Sequence, residues 1–147
     1  MGYAASAAEV TARYPSVPKI GFVAPPMDAA ILTGETVNGG NVDLTARMVS
    51  MGNVHRALPL TGVLGFAVAA RIAGTVVHAR TRATPDPDTI IRIAHPSGIV
   101  EASAKVVNDG GWHAEIASVR RTQRRLFDGF VYVPASSLAA PVAEAAD

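Results

Sequence analysis

The chain has 147 residues, 49% of them apolar and 17% charged, and its 13 basic and 12 acidic side chains give a net charge of +1. This length supports one hydrophobic core, and the small net charge provides no general attraction to nucleic acid or to membrane surfaces. Cysteine is absent, which excludes disulfide bonds, thiolate catalysis and cysteine-bound metals from this chain.

The N-terminal part of the sequence predicts a short helix followed by two strands. Pro15 and Pro18 end the helix, because proline lacks the amide hydrogen that a helix interior needs. The strands are separated by a turn region in which Asn38 and Gly39 are the strongest signal. The predicted elements are the helix Ala5–Arg13, the strands Lys19–Ala24 and Asn41–Val49, and the turn region Thr33–Gly40.

The segment Ala57–Ala70 is the most informative part of the chain, because it carries no charge and is apolar around the whole circumference of a helix. A helix of this kind is wrapped on all sides by protein or lipid. It is shorter than the roughly 20 residues that span a bilayer, so we expect a helix buried at the centre of a folded domain. The helix is predicted to begin near Pro59 and to end around Ile72, with Gly74 terminating it.

The rest of the sequence is dominated by β patterns. The clearest is a hairpin whose strands Ile99–Val107 and His113–Val119 are joined by a turn that contains Asp109 and Gly110. Together with the central helix, these patterns predict an α+β fold in which an antiparallel sheet curls around one buried helix. The remaining predictions are strands at Thr75–Ala79, Thr89–Ile93 and Gly129–Val133, a polar loop at Thr81–Asp88, a helix or turn at Arg120–Asp128, and a fraying tail at Pro134–Asp147.

Several blocks of this sequence resemble the C-terminal lobe of the PrpF family, which comprises 2-methylaconitate cis-trans isomerases and related methylitaconate and oxalomesaconate isomerases. The resemblance runs from Pro18 to Pro134 and implies a fold similar to that of diaminopimelate epimerase, with two pseudo-symmetric lobes that each wrap a sheet around a helix. The blocks are PKIGFVAPP, VHRALPLTGVLGFAVAARIAGTVVH, IRIAHPSGIVEASA and RRTQRRLFDGFVYVP, in that order.

The resemblance also implies a domain organisation and a partner. Residues 1–17 look like the region between the two lobes, residues 18–134 like one lobe, and residues 135–147 like a flexible tail. The family's active site lies between two lobes, so this chain is expected to be a fragment or a half-length relative. The high apolar content favours a covered surface, and the partner is a second lobe or a second copy in a homodimer. The resemblance implies that no cofactor is needed. The sequence itself has no pattern for a metal site, nucleic-acid binding or membrane insertion.

The start of the predicted central helix is the expected binding site for a substrate carboxylate, because free amide groups and the helix dipole attract anions there. In epimerases of this fold a catalytic cysteine lies at this point, but Pro59 and Leu60 transfer no proton. The lobe therefore resembles an anion-binding half, and the alternative is that Thr61 and the glycines only cap and pack the helix. The predicted carboxylate contacts are Ser50, Met51, Gly52, Thr61 and Gly62.

Histidines are the candidates for acid–base chemistry. His55 precedes the helix and is the predicted catalytic residue, as a donor to the carboxylate or a proton shuttle; the alternative is a hydrogen bond within its loop. His95, Ser97 and Gly98 belong to a turn that contacts the ligand or serves only as a turn. His78 and His113 have no partners at metal-ligand spacing, and a structural or solvent-facing role is expected.

Two functions remain open from the sequence. The first is a lobe of a cofactor-independent isomerase of unsaturated tricarboxylic acids similar to methylaconitate; the second is a non-catalytic, self-associating module that binds a small molecule. The basic cluster Arg120–Arg125 is expected to be solvated or to form salt bridges with the second lobe. Because Met1–Ala8 lacks the pattern of a signal peptide, a cytoplasmic location is the default expectation.

Overall fold

A computed structural model describes residues 4–14, 16–83 and 89–134. The predicted tail at residues 135–147 and the greater part of the loop Thr81–Asp88 lie outside these ranges. Within them, no helix combines the length and the apolar character that crossing a membrane requires. The elements are the helices α1 (Ala7–Arg13), α2 (Leu60–Ala69) and α3 (Val76–Arg80), and the strands β1 (Ile20–Ala24), β2 (Ala29–Ala30), β3 (Thr36–Val37), β4 (Leu44–Ser50), β5 (Asn53–Val54), β6 (Ile91–His95), β7 (Gly98–Asn108) and β8 (Trp112–Arg120).

The main sheet has the strand order β1-β4-β6-β7-β8, with β5 paired to β4, and β2 and β3 form a separate small hairpin. All pairs in the main sheet are antiparallel except β4 with β6, which run parallel. Alternate residues of the central strands face the same side and form the core with α2. The fold is α+β, with a curled sheet and few helices. The buried sheet residues of the core are Leu44, Ala46, Met48, Ile91, Ile93, Ala102 and Ala104.

Helix α2 lies close to its predicted bounds, but its expected burial on all sides is not observed in the described residues. One face, which includes Val63, Phe66 and Ala67, is buried against the sheet. On the other side Leu60 is 45% exposed, and Gly65 is exposed as well. The sheet covers only one side of the helix, so an apolar circumference leaves apolar surface open here.

The predicted strand Thr75–Ala79 is wrong, because this segment forms the short helix α3. The Thr75 side chain caps it: its hydroxyl accepts a hydrogen bond from the amide of His78 at 3.0 Å and donates to the carbonyl of Ala69 at 2.6 Å. Gly74, with a φ of +86°, turns the chain between the two helices. These local hydrogen bonds outweigh the β propensity of the valines in the segment.

The predicted hairpin at the Asp109–Gly110 turn is confirmed. Strands β7 and β8 pair up to Asn108 and Trp112, which leaves a loop of residues 109–111. Gly110 adopts a φ of +70°, in the left-handed region that favours glycine. The hairpin brings Arg120, at the end of β8, beside Glu101 of β7.

The predicted strand Gly129–Val133 and the alternative of a helix at Arg120–Asp128 are not observed, because residues 121–134 have no regular secondary structure. A strand needs a neighbour for its backbone hydrogen bonds, and in the described residues no strand pairs with this segment. Its large apolar side chains are consequently open to solvent, with Phe130 at 95% and Tyr132 at 96% exposed. We call residues 126–133 the apolar C-terminal segment.

Candidate functional site

The candidate site lies at the edge of the sheet that carries the turns after β4 and β6, near the start of α2. Strand β6 ends beside the first residues of β4, since Ala94 pairs with Thr45, so the carboxyl end of β4 extends beyond that of β6. The last residues of these strands are Ser50 and His95, and both are buried. Pro59 precedes α2 and makes no side-chain hydrogen bond to its first turn, where amide groups lack partners within the helix.

A tight turn after β4 places His55 beside Ser50. Met51 and Gly52 both have a positive φ, +54° and +75°, as a two-residue turn between paired strands requires. The chain then returns along β4 as β5. The Ser50 hydroxyl lies 2.6 Å from His55 Nε2, and the His55 amide donates to the carbonyl of Met48 at 2.8 Å. The structure thus brings the predicted catalytic histidine and a predicted binding residue into direct contact.

A second turn, between β6 and β7, is tied to the first. The Ser97 amide donates a hydrogen bond to His95 Nδ1 at 3.2 Å, and the Ser97 hydroxyl donates to the carbonyl of Arg56 at 2.5 Å. Gly98 has a φ of +127°, which a side chain would rarely adopt. His95 and Ser97 are therefore brought near the segment that holds His55, while the conformation of Gly98 is explained by the turn itself.

Two cavities adjoin this edge of the sheet. One, of about 720 Å³, lies between the start of α2 and the ends of β6 and β8, and we call it the helix cavity. The other, of about 740 Å³, lies beside α1 and includes Ser50, Met51 and Gly52. The helix cavity has the apolar lining residues Ala57, Leu58, Leu60, Val63, Ile99, Val100 and Val119 and the polar lining residues Arg92, His95, Glu101, Arg120, Arg121 and Thr122.

The predicted residues of the first turn of α2 differ in their surroundings. Thr61 is exposed. Gly62 lies against Met48, and an added Cβ would be 2.6 Å from the Met48 Cε and 2.8 Å from its Sδ. The close packing alone explains a glycine at position 62, which agrees with the alternative that this glycine packs the helix.

Burial favours the neutral form of the His95 ring, and a hydrogen bond to Nδ1 defines the tautomer of that form. Only 8% of the residue is exposed, and burial, with a smaller contribution from the positive charge of Arg47, lowers the pKa of His95 below its usual value. Because Nδ1 accepts a hydrogen bond from the Ser97 amide, the ring proton of the neutral form is on Nε2. The site therefore contains an uncharged N–H donor.

We expect acidification to destabilise the fold through His95. Its pKa is lower in the folded protein than the value of about 6.5 expected in the unfolded chain. Between these two values the unfolded state binds more protons, so stability falls as the pH decreases from about 6.5 and levels off below the folded pKa. His95→Gln, which does not titrate, should lose less stability than the original protein in urea unfolding between about pH 7 and about pH 5. Equal losses in the two proteins would contradict this expectation.

The arginines of the helix cavity are functional candidates that the sequence did not identify. Arg120 and Arg121 were expected on a solvated face or in salt bridges with a second lobe; both are exposed, and they also line the helix cavity together with Arg92. Their proximity depends on the pairing of β7 with β8 and of β6 with β7, and no local motif signals it. In the described residues no group of histidine and carboxylate side chains is arranged to hold a metal ion.

Comparisons with known proteins give consistent matches. The family described as PrpF protein matches residues 1–134. The chain is 38% identical to the 3-methylitaconate isomerase of Eubacterium barkeri over 94% of this chain and 36% of that protein. It is 40% identical to the 2-methyl-aconitate isomerase of Shewanella oneidensis over 80% of this chain and 29% of that protein. A crystal structure of methylitaconate-delta-isomerase matches with a TM-score of 0.74 and 35% identity, over 95% of this chain and 35% of that one. The chain thus spans 29% to 36% of the length of these relatives.

Proposed function

We propose, from the premise that this chain belongs to the PrpF family, that it forms one lobe of a cofactor-independent isomerase of unsaturated tricarboxylic acids similar to methylaconitate. The observation that carries the proposal is the link between the Ser50–His55 pair and the His95 turn: Ser97 donates a hydrogen bond to the carbonyl of Arg56, which follows His55 and precedes α2. The relatives that share this sequence are named as methylitaconate and methylaconitate isomerases. Since the chain spans about a third of their length, the complete reaction requires a second lobe or a second copy.

In this proposal the first turn of α2 holds one substrate carboxylate. Its backbone amides and the helix dipole supply the attraction, and Pro59 adds no side-chain competitor for those amides. Thr61, which is exposed in the same turn, adds a hydroxyl donor. Met51 and Gly52 contribute through the turn that shapes the neighbouring cavity.

The reaction moves a proton on a carbon next to a carboxylate. A base removes the proton, the electron pair of the broken C–H bond passes into the conjugated carboxylate system, and another carbon is then protonated. In this lobe His55 donates to the carboxylate that receives the electron density or carries a proton to it, and Ser50 fixes the ring at 2.6 Å. The base itself comes from the second lobe or second copy.

Titration of the 147-residue chain with 2-methylaconitate, followed by amide NMR signals, tests the binding part of this proposal. We expect the signals of Thr61 and Gly62 to move with increasing ligand. His55→Ala should weaken binding about three- to tenfold, the effect of losing one hydrogen bond. His113→Ala, at an exposed position of β8, is the control and should bind like the original chain. Signal changes confined to other regions, or equal binding by both variants, would refute the assignment.

The second candidate, a self-associating binding module, is favoured by the apolar C-terminal segment. Leu126 and Phe127 are 82% and 83% exposed, and large apolar surfaces of this kind mark contacts with another molecule. Deuterium uptake by 2-methylaconitate in heavy water distinguishes the candidates. Ligand binding and dimerisation without uptake at high protein concentration would support the module, whereas uptake that requires His55 would support the enzyme.

A further inference from the structure

We propose that Arg121 and His95 form a second carboxylate subsite in the helix cavity, which makes this lobe selective for acids with more than one carboxylate. The inference rests on the proposed function and deepens it, because it assigns a recognition element for the substrate class. The subsite is separate from the first turn of α2 but opens into the same cavity, since Leu60 and Val63 of that helix line it.

His95 supplies the first argument. His95 is 8% exposed and lines the helix cavity. Nδ1 is occupied by the Ser97 amide, so Nε2 carries the proton, and in the described residues the structure records no partner for Nε2. The Nε2 atom is not fully buried, so it is open to the cavity, and a ligand oxygen there would accept its hydrogen bond.

The charge distribution around the cavity supplies the second argument. Arg92 is already held by both carboxylate oxygens of Asp43, each at 3.0 Å. Arg120 lies 3.5 Å from Glu101, which is itself part of the lining. For Arg121 the structure records no ion pair within the described residues. Arg121 is therefore the lining cation that is available to an anionic ligand.

The remaining lining fits the carbon skeleton of a small acid. Leu58, Leu60, Val63, Val100 and Val119 add apolar surface to the lining beside its polar residues. Ion-pair and charge-assisted hydrogen bonds are stronger beside such a surface than in open water.

Acids with three, two and one carboxylate groups test whether the chain selects for the number of carboxylates. We use propane-1,2,3-tricarboxylate, glutarate and butyrate as probes and titrate each calorimetrically into the full chain. Arg121→Gln should weaken binding of the tricarboxylate and of glutarate about tenfold or more and leave butyrate binding unchanged. Arg124→Gln is the matched control, because Arg124 is exposed on the same segment and does not line the cavity. Equal affinities for these two variants would overturn the subsite.

The histidine is tested by paired substitutions. His95→Ala should lose affinity for the polycarboxylates, whereas His95→Gln should retain most of it, because the glutamine amide places a donor near the position of Nε2. If His95→Ala does not fold, Arg121→Gln and His95→Gln still decide the question, and loss of polycarboxylate binding in folded His95→Gln counts against the subsite. Failure of the original chain to bind any probe would overturn both proposals, whereas binding that neither Arg121→Gln nor His95→Ala changes would overturn the subsite alone.

Discussion

Replacement of Ile93 by alanine is expected to lower the free energy of unfolding by about 3 kcal/mol. Ile93 is completely buried in β6, where it pairs with Leu44 of β4 on one side and Val100 of β7 on the other. Strands on both sides and α2 above restrict any collapse into the space that the missing atoms leave. Urea unfolding monitored by circular dichroism measures the change.

The matched control for this prediction is Ile116→Ala on β8. Ile116 is 63% exposed, so its removal should change the free energy of unfolding by less than about 0.5 kcal/mol. A difference of about 3 kcal/mol is a large share of the stability of a small domain, and part of the Ile93→Ala protein should be unfolded without denaturant. Similar losses for the two variants would show that β6 is not at the centre of the core.

Asp43→Ala is expected to cost about 2 to 3 kcal/mol of stability. Asp43 is 2% exposed, and its carboxylate accepts hydrogen bonds from the backbone amide of Arg92 at 2.9 Å and from the guanidinium of the same residue. Alanine removes these acceptors and leaves the partners unpaired. The free energy of unfolding in urea is again the measurement.

Two further variants test how much of this loss comes from the charge of Asp43 and how much depends on its burial. Asp43→Asn keeps one acceptor oxygen and should be less destabilising than Asp43→Ala. Asp128→Ala removes the partner of Arg125, but both side chains of that pair are at least 80% exposed, so no measurable change is expected. A loss for Asp128→Ala as large as that for Asp43→Ala would contradict the importance of burial.

The parts of the fold that were predictable carry strong local signals. The uncharged run predicts α2 within a few residues, and the Asp109–Gly110 turn predicts the β7–β8 hairpin. The segment at Thr75 was mispredicted because a capping hydroxyl, rather than the propensity of the valines, determines its conformation. The strand expected at Gly129–Val133 failed for a different reason: strand formation depends on a neighbouring edge, which a sequence segment does not specify by itself.

The residues of the candidate site that were predicted lie in turns or at the start of a helix, which carry local sequence signals. Ser50 and His55 are five residues apart and meet through one tight turn, so reasoning about the helix start found both. Arg121 was missed because it reaches the helix cavity through the pairing of long strands. The availability of His95 Nε2 also depends on the folded structure, since the Ser97 amide bonds to Nδ1 and, within the described residues, leaves Nε2 without a partner.

The parallel pairing of β4 with β6 has a consequence for the order of folding. Asp43 and Arg92, which join these strands by side-chain and backbone hydrogen bonds, are separated by 49 positions, and α2 and α3 lie between them. Hairpins such as β7–β8 close over a few residues within microseconds, whereas the distant pair must first overcome the entropy of a long loop. We therefore expect the β4–β6 pairing to form late, after the hairpin and the first packing of α2 have formed.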